Sequence, residues 1–255
     1  MKKNRKTSSR DFGGSWSKEK LLLLKKYMEA YVKIMHPRGN KFKFAYIDAF
    51  AGSGYQIAKS ELENSTDFSE IFSEESKEFI EGSAKIALKV VPNFHKYIFI
   101  EKDNNCADEL EKLKDEFPDK KDLIKIERKD ANSFIAGMCS AGWSKHRALM
   151  FIDSFGMQLE WSTLKSIAGT NAVDLWLLFP ISAVNRLLQR KGNIPESWAK
   201  RLDLFFGESA WKDVFYRESP QQTLFSEDGP EQEKVADFSS IKAYFVSRLE
   251  TIFPH

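Results

Sequence analysis

Apolar runs alternate with amphipathic segments along most of this chain. Five runs have the length and the aliphatic and aromatic content of buried strands, at 44–49, 97–101, 123–127, 148–153 and 172–179. Helical patterns lie between them, at 82–91, 104–117, 131–140 and 162–168. The alternation predicts an α/β fold in which helices cover both faces of a mostly parallel sheet.

The two ends of the chain differ from this pattern. Residues 18–35 repeat apolar side chains at three- and four-residue steps, which predicts an amphipathic helix. Residues 1–17 are basic and nearly free of apolar side chains, so we expect a flexible tail, with phosphate contact as the alternative. After residue 179 we predict only helices, at 181–190, 196–206, 209–216 and 238–253, and an exposed loop at 219–234. These features indicate a single domain over 18–255 with a helical C-terminal subregion over 181–255.

An acidic insertion separates the first strand from the helix that should follow it. Residues 59–81 hold eight acids against two lysines and few apolar side chains. A long loop beside a site is often functional, so the insertion is either a lid over a ligand or a solvated loop.

Composition narrows the class of protein. With 255 residues, 42% of them hydrophobic, the chain can bury one large core, and a net charge of +2 does not by itself indicate nucleic-acid binding. The two cysteines and four histidines lack metal-ligand or disulfide spacing, so we predict neither a metal site nor a disulfide framework. The apolar stretch 21–24 is too short for a secretory leader, and we expect a cytoplasmic protein without membrane association.

The first strand opens into a turn of small residues. Asp48 stands at the strand tip, and the turn reads Phe50-Ala51-Gly52-Ser53-Gly54. Gly52 and Gly54 would allow the backbone to approach a ligand closely, while Asp48 could accept hydrogen bonds from an ammonium or hydroxyl group. Because Phe50 occupies the first glycine position of the dinucleotide fingerprint, the turn argues against an NAD-dependent oxidoreductase.

Acids also follow three later strands, at Glu101, Asp130 and Asp153. Ligands of open α/β sheets bind at the carboxyl ends of the strands, so these acids and Asp48 are expected to converge on one crevice. Taken singly, each could instead cap a helix or face solvent.

These stretches together resemble a known family. The turn at 48–54, the strand ends at 98–103 and 151–157, the run 174–180 and the pair Asn185-Arg186 look like the bacterial three-Cys-motif partner proteins. That family belongs with the class I S-adenosylmethionine-dependent methyltransferases. The resemblance covers most of residues 18–253.

The resemblance implies a Rossmann-like sheet that binds S-adenosylmethionine. In that class the glycine turn cradles the methionine part of the cofactor, Glu101 would hold the ribose hydroxyls, and Asp130 with Ala131 would meet the adenine. The implied cofactor-binding residues are Asp48, Phe50, Ala51, Gly52, Ser53, Gly54, Glu101, Lys102, Asp130 and Ala131.

The end of the fourth strand would carry the chemistry. Amino-group methyltransferases of nucleic acids commonly place an Asp-Pro-Pro-Tyr-like segment here, in which the acid binds the target amine and the aromatic ring stacks on the base. Asp153 and Phe155 could fill these two roles. Ser154 stands where family members favour proline, and Gly156 replaces the aromatic residue. Methyl transfer is an in-line displacement that needs alignment and removal of a proton, without a nucleophile or a metal.

Two other functions stay open at this stage. A non-catalytic subunit could keep the cofactor pocket and act by binding a three-Cys-motif protein, and an NAD-dependent oxidoreductase is the more remote alternative.

Class I methyltransferases usually end in a hairpin of two more strands. The sequence predicts no such strands, so we expect the terminal hairpin to be missing. Either the sheet is short, or the chain lacks its natural C-terminal part, which would leave one edge of the sheet open.

Overall fold

A five-stranded, fully parallel sheet forms the centre of the protein. The computed structural model describes residues 14–51, 82–154, 156–218 and 232–253. The strands are β1 Lys43–Ala49, β2 Lys96–Ile100, β3 Ile124–Glu127, β4 His146–Ile152 and β5 Val173–Leu177. Their order across the sheet is β3-β2-β1-β4-β5, and every neighbouring pair is parallel. This is the Rossmann-like order, so the predicted fold class is confirmed.

Helices cover both faces of the sheet. The first face is covered by α1 Gly14–Met35, the helical residues 82–89 (α2), α3 Asn104–Glu111 and α4 Leu113–Glu116. The second face is covered by α5 Ala131–Cys139, α6 Trp161–Gly169, α7 Ile181–Leu187, α8 Glu196–Phe206, α9 Trp211–Phe215 and α10 Phe238–Glu250. Among the described residues no helix combines the length and the apolar character needed to cross a membrane.

The strands divide the core into two clusters because successive side chains point to opposite faces. In β1, Phe44 and Tyr46 pack under the helices of the first face, whereas Ile47 and Ala49 pack under those of the second. The central strands are buried on both sides, which explains their near-continuous apolar sequences.

Two predicted helices differ most from the helices of the structure. Helix α1 begins at Gly14, four residues inside the predicted tail, because a nucleated helix extends at little further cost. The segment 104–117 forms two helices instead of one, and a 3₁₀ turn, Pro118–Leu123, follows. Proline at 118 disfavours helical backbone in the residue before it, which helps to end the second helix there.

The C-terminal region contains two strands that the sequence analysis did not predict. Strands β6 Tyr216–Glu218 and β7 Gln232–Lys234 pair antiparallel with each other and not with the central sheet. The predicted helix over 209–216 is present at Trp211–Phe215, but the prediction was wrong at Tyr216, and the predicted loop over 219–234 was wrong at 232–234. Lys234 Nζ donates to Asn185 Oδ1 at 2.6 Å and so attaches the pair to α7. Residues 219–231 lie outside the described residues, as do the acidic insertion 59–81 and residues 1–13 of the predicted tail.

Candidate functional site

Three predicted site residues lie at the carboxyl ends of three adjacent strands. Asp48 is in β1, Glu101 follows β2 and Asp153 follows β4. In the sheet order β2-β1-β4, the chain winds outward in opposite directions from β1 and β4, which makes this edge the topological switch point. Ligands of open α/β sheets bind in the crevice at this point.

Asp48 is a buried acid held by two hydroxyl groups. Tyr46 Oη donates to its Oδ2 at 3.1 Å, and Ser83 Oγ of α2 donates to the same oxygen at 2.9 Å. Burial raises the pKa of Asp48 to about 7, the two hydrogen bonds oppose this shift, and the nearby charge of Asp153 adds to it. The carboxyl group therefore changes charge near neutral pH and would be stabilised as a carboxylate by a cationic ligand.

Glu101 has one satisfied oxygen and one free one. The side chain is 1% exposed, and its Oε1 accepts the Asp103 N–H at 2.6 Å. Its Oε2 is buried and has no hydrogen-bond partner among the described residues. Burial raises the pKa of Glu101 to about 7. Buried oxygens are rarely left unpaired, so Oε2 is suited to accept a hydrogen bond from a ligand hydroxyl.

The end of β4 supplies a second polar pair. Asp153 is partly buried, and burial raises the pKa of its carboxyl group, against which the charge of Lys20 in α1 acts. The next residue, Ser154, is 3% exposed, and its Oγ has no partner among the described residues. Phe155, the predicted stacking residue, lies outside the described residues.

Phe50 gives the turn after β1 an unusual backbone. Its φ angle of 64° lies in the left-handed region, which costs a bulky residue about 1–2 kcal/mol. Phe50 is buried in the core of the second face, whereas Ala51 is buried in that of the first. The Ala51 N–H donates to the carbonyl of Ile100 at 2.8 Å, which fastens the turn to β2. Gly52, Ser53 and Gly54 lie outside the described residues.

The remaining predicted cofactor-binding residues, Asp130, Ala131 and Lys102, lie farther from the centre of the sheet edge. Asp130 stands beyond the edge strand β3 and caps α5 by accepting the Ser133 N–H at 2.9 Å. This is the alternative role that the sequence left open for each acid. Ala131 is buried beside it, and the Lys102 side chain is exposed.

Sequence reasoning missed three polar residues of the site, namely Tyr46, Ser83 and Ser154. Tyr46 precedes Asp48 by two residues, so strand alternation places both on one face, and this signal was available. Ser83 opens the crossover helix, but its contact with Asp48 spans 35 residues of sequence and depends on the fold.

The site has no metal-binding character in the part of the chain that the structure describes. No group of three or more His, Cys, Asp or Glu residues there is placed to hold a metal ion. Within the described residues Cys106 and Cys139 form no disulfide bond, and both are partly buried.

Comparisons with known proteins add little to this description. No protein-family model matches the sequence, and no curated protein matches it. Among solved structures, the chain is similar to one named "Putative methyltransferase yhhF from Escherichia coli", at 12% identity and a TM-score of 0.31. The match covers 82% of this chain and 85% of that one. A similarity this weak does not bear on function, and the resemblance to the three-Cys-motif partner proteins stays a prediction.

Proposed function

We propose that this protein binds S-adenosylmethionine at the switch-point edge and transfers the methyl group to an amino group, with a nucleic-acid base as the acceptor. The observation that carries the proposal is a pair of buried oxygens that have no hydrogen-bond partner among the described residues, Glu101 Oε2 and Ser154 Oγ. They lie beyond β2 and β4, the two strands that flank β1. Such oxygens favour a polar ligand that supplies the missing hydrogen bonds.

The acids of the site fit the polar groups of this cofactor. S-adenosylmethionine supplies an electrophilic methyl group on a sulfonium. Glu101 would accept hydrogen bonds from the ribose hydroxyls through its free oxygen. Asp48 is an acceptor whose charge would be favoured by a nearby ammonium or sulfonium group, because its burial leaves the isolated carboxylate poorly solvated.

Asp153 would act on the methyl acceptor. As a carboxylate it can accept a hydrogen bond from the attacking amine and stabilise the positive charge that grows on nitrogen. Its burial raises its pKa, which brings it closer to the range in which a carboxylate can also take up a proton. Phe155 would stack on the base.

A titration calorimetry experiment tests the cofactor site. S-adenosylhomocysteine should bind the wild type, and Glu101→Gln should weaken binding by about 10-fold, the size of one lost charge-assisted hydrogen bond. Glu109→Gln in the exposed part of α3 is the matched control and should leave the affinity unchanged. Absence of binding by the wild type, or binding of NAD in its place, would refute the proposal.

A turnover measurement distinguishes the two hypotheses, a methyltransferase and a non-catalytic binding subunit. With tritium-labelled S-adenosylmethionine, the enzyme should transfer label to a nucleic-acid fraction of the cell. Cofactor binding without transfer to nucleic acid or protein would favour the alternative, a subunit that uses the same pocket and binds a three-Cys-motif partner protein.

A further inference from the structure

A second pocket lies at the opposite edge of the sheet from the candidate site. It encloses about 430 Å³ and is lined by the amino-terminal ends of β1, β2 and β4 and by residues at and after the end of α5. A volume of this size falls in the range of small-molecule sites, about 300–1,000 Å³.

The floor and one wall of this pocket are apolar. Ala45, Ile47 and Ile98 form the floor on the second face of the sheet, and Met138 with Trp143 form the wall above it. Trp143 Nε1 donates to the carbonyl of Met138 at 3.2 Å, which holds the indole in place. A space between a sheet and an indole ring suits a flat, apolar group.

The mouth of the pocket is basic. Lys43 of β1 lies opposite His146 of β4, and Lys96 of β2 lies opposite Ala45 of β1. Strand alternation puts all three side chains on the second face, and all three are exposed. Lys43 and Lys96 lie on neighbouring strands about 4.8 Å apart and are offset by two residues, about 6.6 Å, along them. The flexible lysine stems can span this separation and bring both ammonium groups to one anion.

In the part of the chain that the structure describes, no acid in the pocket lining offsets this positive charge. Within the described residues neither Lys43 nor Lys96 forms a salt bridge. His95 adds a donor at the same edge, because its Nδ1 accepts the Phe44 N–H at 3.3 Å and its proton therefore belongs on Nε2.

We propose that this pocket is a binding site for a nucleotide, with the phosphate at Lys43, Lys96 and His146 and the base between the sheet floor and Trp143. A dianionic phosphate on a flat ring system matches both the concentrated positive charge and the apolar interior. The site is separate from the cofactor crevice, and the proposal does not rest on methyl transfer.

Calorimetry tests this site with inosine monophosphate, a nucleotide whose base differs from the adenine of S-adenosylmethionine. Inosine monophosphate should bind at least about 10-fold more tightly than inosine or inorganic phosphate alone, because only the whole nucleotide uses both parts of the pocket. The bound nucleotide could be a free molecule or the 5′ end of a nucleic-acid strand, and a 5′-phosphorylated dinucleotide distinguishes the two. Tighter binding of the dinucleotide than of the mononucleotide indicates a strand end, and weaker binding indicates a free nucleotide.

Matched variants locate the binding. Lys43→Gln with Lys96→Gln should weaken inosine monophosphate binding by about 10-fold or more, whereas Lys89→Gln in α2 should not change it. Gly142 lines the pocket, so Gly142→Phe should obstruct it with an added ring. A Cβ there meets no atom within 4 Å, so the fold should tolerate the substitution. Gly137→Phe in α5, where a Cβ is equally unobstructed, is the control.

The outcomes that would overturn the proposal are specific. They are no binding of inosine monophosphate by the wild type at about 5 mM and low salt, where even a millimolar site would be nearly filled, or binding that survives both the double lysine variant and Gly142→Phe. Loss of binding in Glu101→Gln, at the other edge, would likewise show that the nucleotide occupies the cofactor crevice instead.

Discussion

At the scale of single residues, a substitution of Asp153 tests catalysis separately from cofactor binding. Asp153→Asn keeps the size and much of the hydrogen bonding but removes the negative charge that would stabilise the attacking nitrogen. We expect turnover to fall by about 10²-fold or more while the affinity for S-adenosylhomocysteine stays nearly constant. Labelled-methyl transfer and calorimetry measure the two quantities.

The control for Asp153 is Asp237→Asn, an exposed carboxylate that caps α10 by accepting the Ser240 N–H at 2.8 Å. This variant should lower stability only slightly, since asparagine also caps helices, and should leave turnover per folded molecule unchanged. Turnover that survives Asp153→Asn would reduce Asp153 to a structural carboxylate.

The raised pKa of Glu101 predicts a pH dependence of stability. Its pKa goes from an ordinary 4.5 to about 7 on burial. Between these values the folded state keeps a proton that the unfolded state has released, so this group destabilises the fold progressively as pH rises from about 4.5 to 7. The slope is at most about 1.4 kcal/mol per pH unit.

Urea unfolding of wild type and Glu101→Gln at several pH values measures this effect. The free energy of unfolding of the wild type should decline relative to that of the variant across the window and then level off above about pH 7. Two parallel curves would show that Glu101 does not hold its proton in the folded state. The wild type should lose stability in the same direction relative to Asp48→Asn, between pH 3.8 and about pH 7, because burial raises the pKa of Asp48 over that range.

At the scale of elements, Gly207 joins two helices of the second face. It ends α8 with a left-handed φ of 78°, and a Cβ there would lie 2.1 Å from Trp161 Cδ1 at the start of α6. Gly207→Ala therefore combines backbone strain with a steric clash, and we expect a loss of about 2 kcal/mol or more in the free energy of unfolding.

Gly137→Ala in α5 serves as the comparison for Gly207→Ala. A Cβ at Gly137 meets no atom within 4 Å, and alanine favours helix, so this variant should gain about 0.5–1 kcal/mol. Denaturant midpoints of the two variants should move in opposite directions. An equal effect of both would mean that α8 does not pack closely on Trp161.

At the scale of the whole molecule, stacked aromatic rings connect the C-terminal helix to the sheet. Phe245 of α10 stacks on Phe179 beyond β5, with ring centroids 4.4 Å apart, and on Phe205 of α8 at 5.2 Å. The same cluster includes the side chains of the second face of the sheet. The C-terminal helices therefore share one core with the sheet.

This shared core predicts one cooperative unfolding transition. Phe245→Ala should lower the free energy of unfolding by about 3–5 kcal/mol, and tryptophan fluorescence and far-ultraviolet circular dichroism should still report the same midpoint. Val246→Ala, one position away on an exposed side chain, should change stability little. Separate transitions for the two signals would show that the C-terminal subregion unfolds on its own.

The sequence by itself determined the order and type of the main elements. The period of hydrophobic residues is a local property, so all five sheet strands and most helices could be predicted within a few residues of their bounds. It also indicated that Asp48, Glu101 and Asp153 stand at strand ends, since each follows or closes an apolar run. Once the strands are parallel, their carboxyl ends share an edge, and this much of the site follows from the pattern alone.

Only the tertiary structure decided which polar groups meet and which stay unpaired. The contact of Ser83 with Asp48 joins segments 35 residues apart in sequence. The burial of Glu101 Oε2 and Ser154 Oγ without a partner among the described residues likewise depends on how distant segments pack. Strands β6 and β7 have three residues each, too few for an alternating pattern to appear, and they form because their partners are brought together. The basic pocket arises in the same way, from the register that places His146 beside Lys43 and Lys96 beside Ala45, because charge on separate strands becomes one site only when the sheet is assembled.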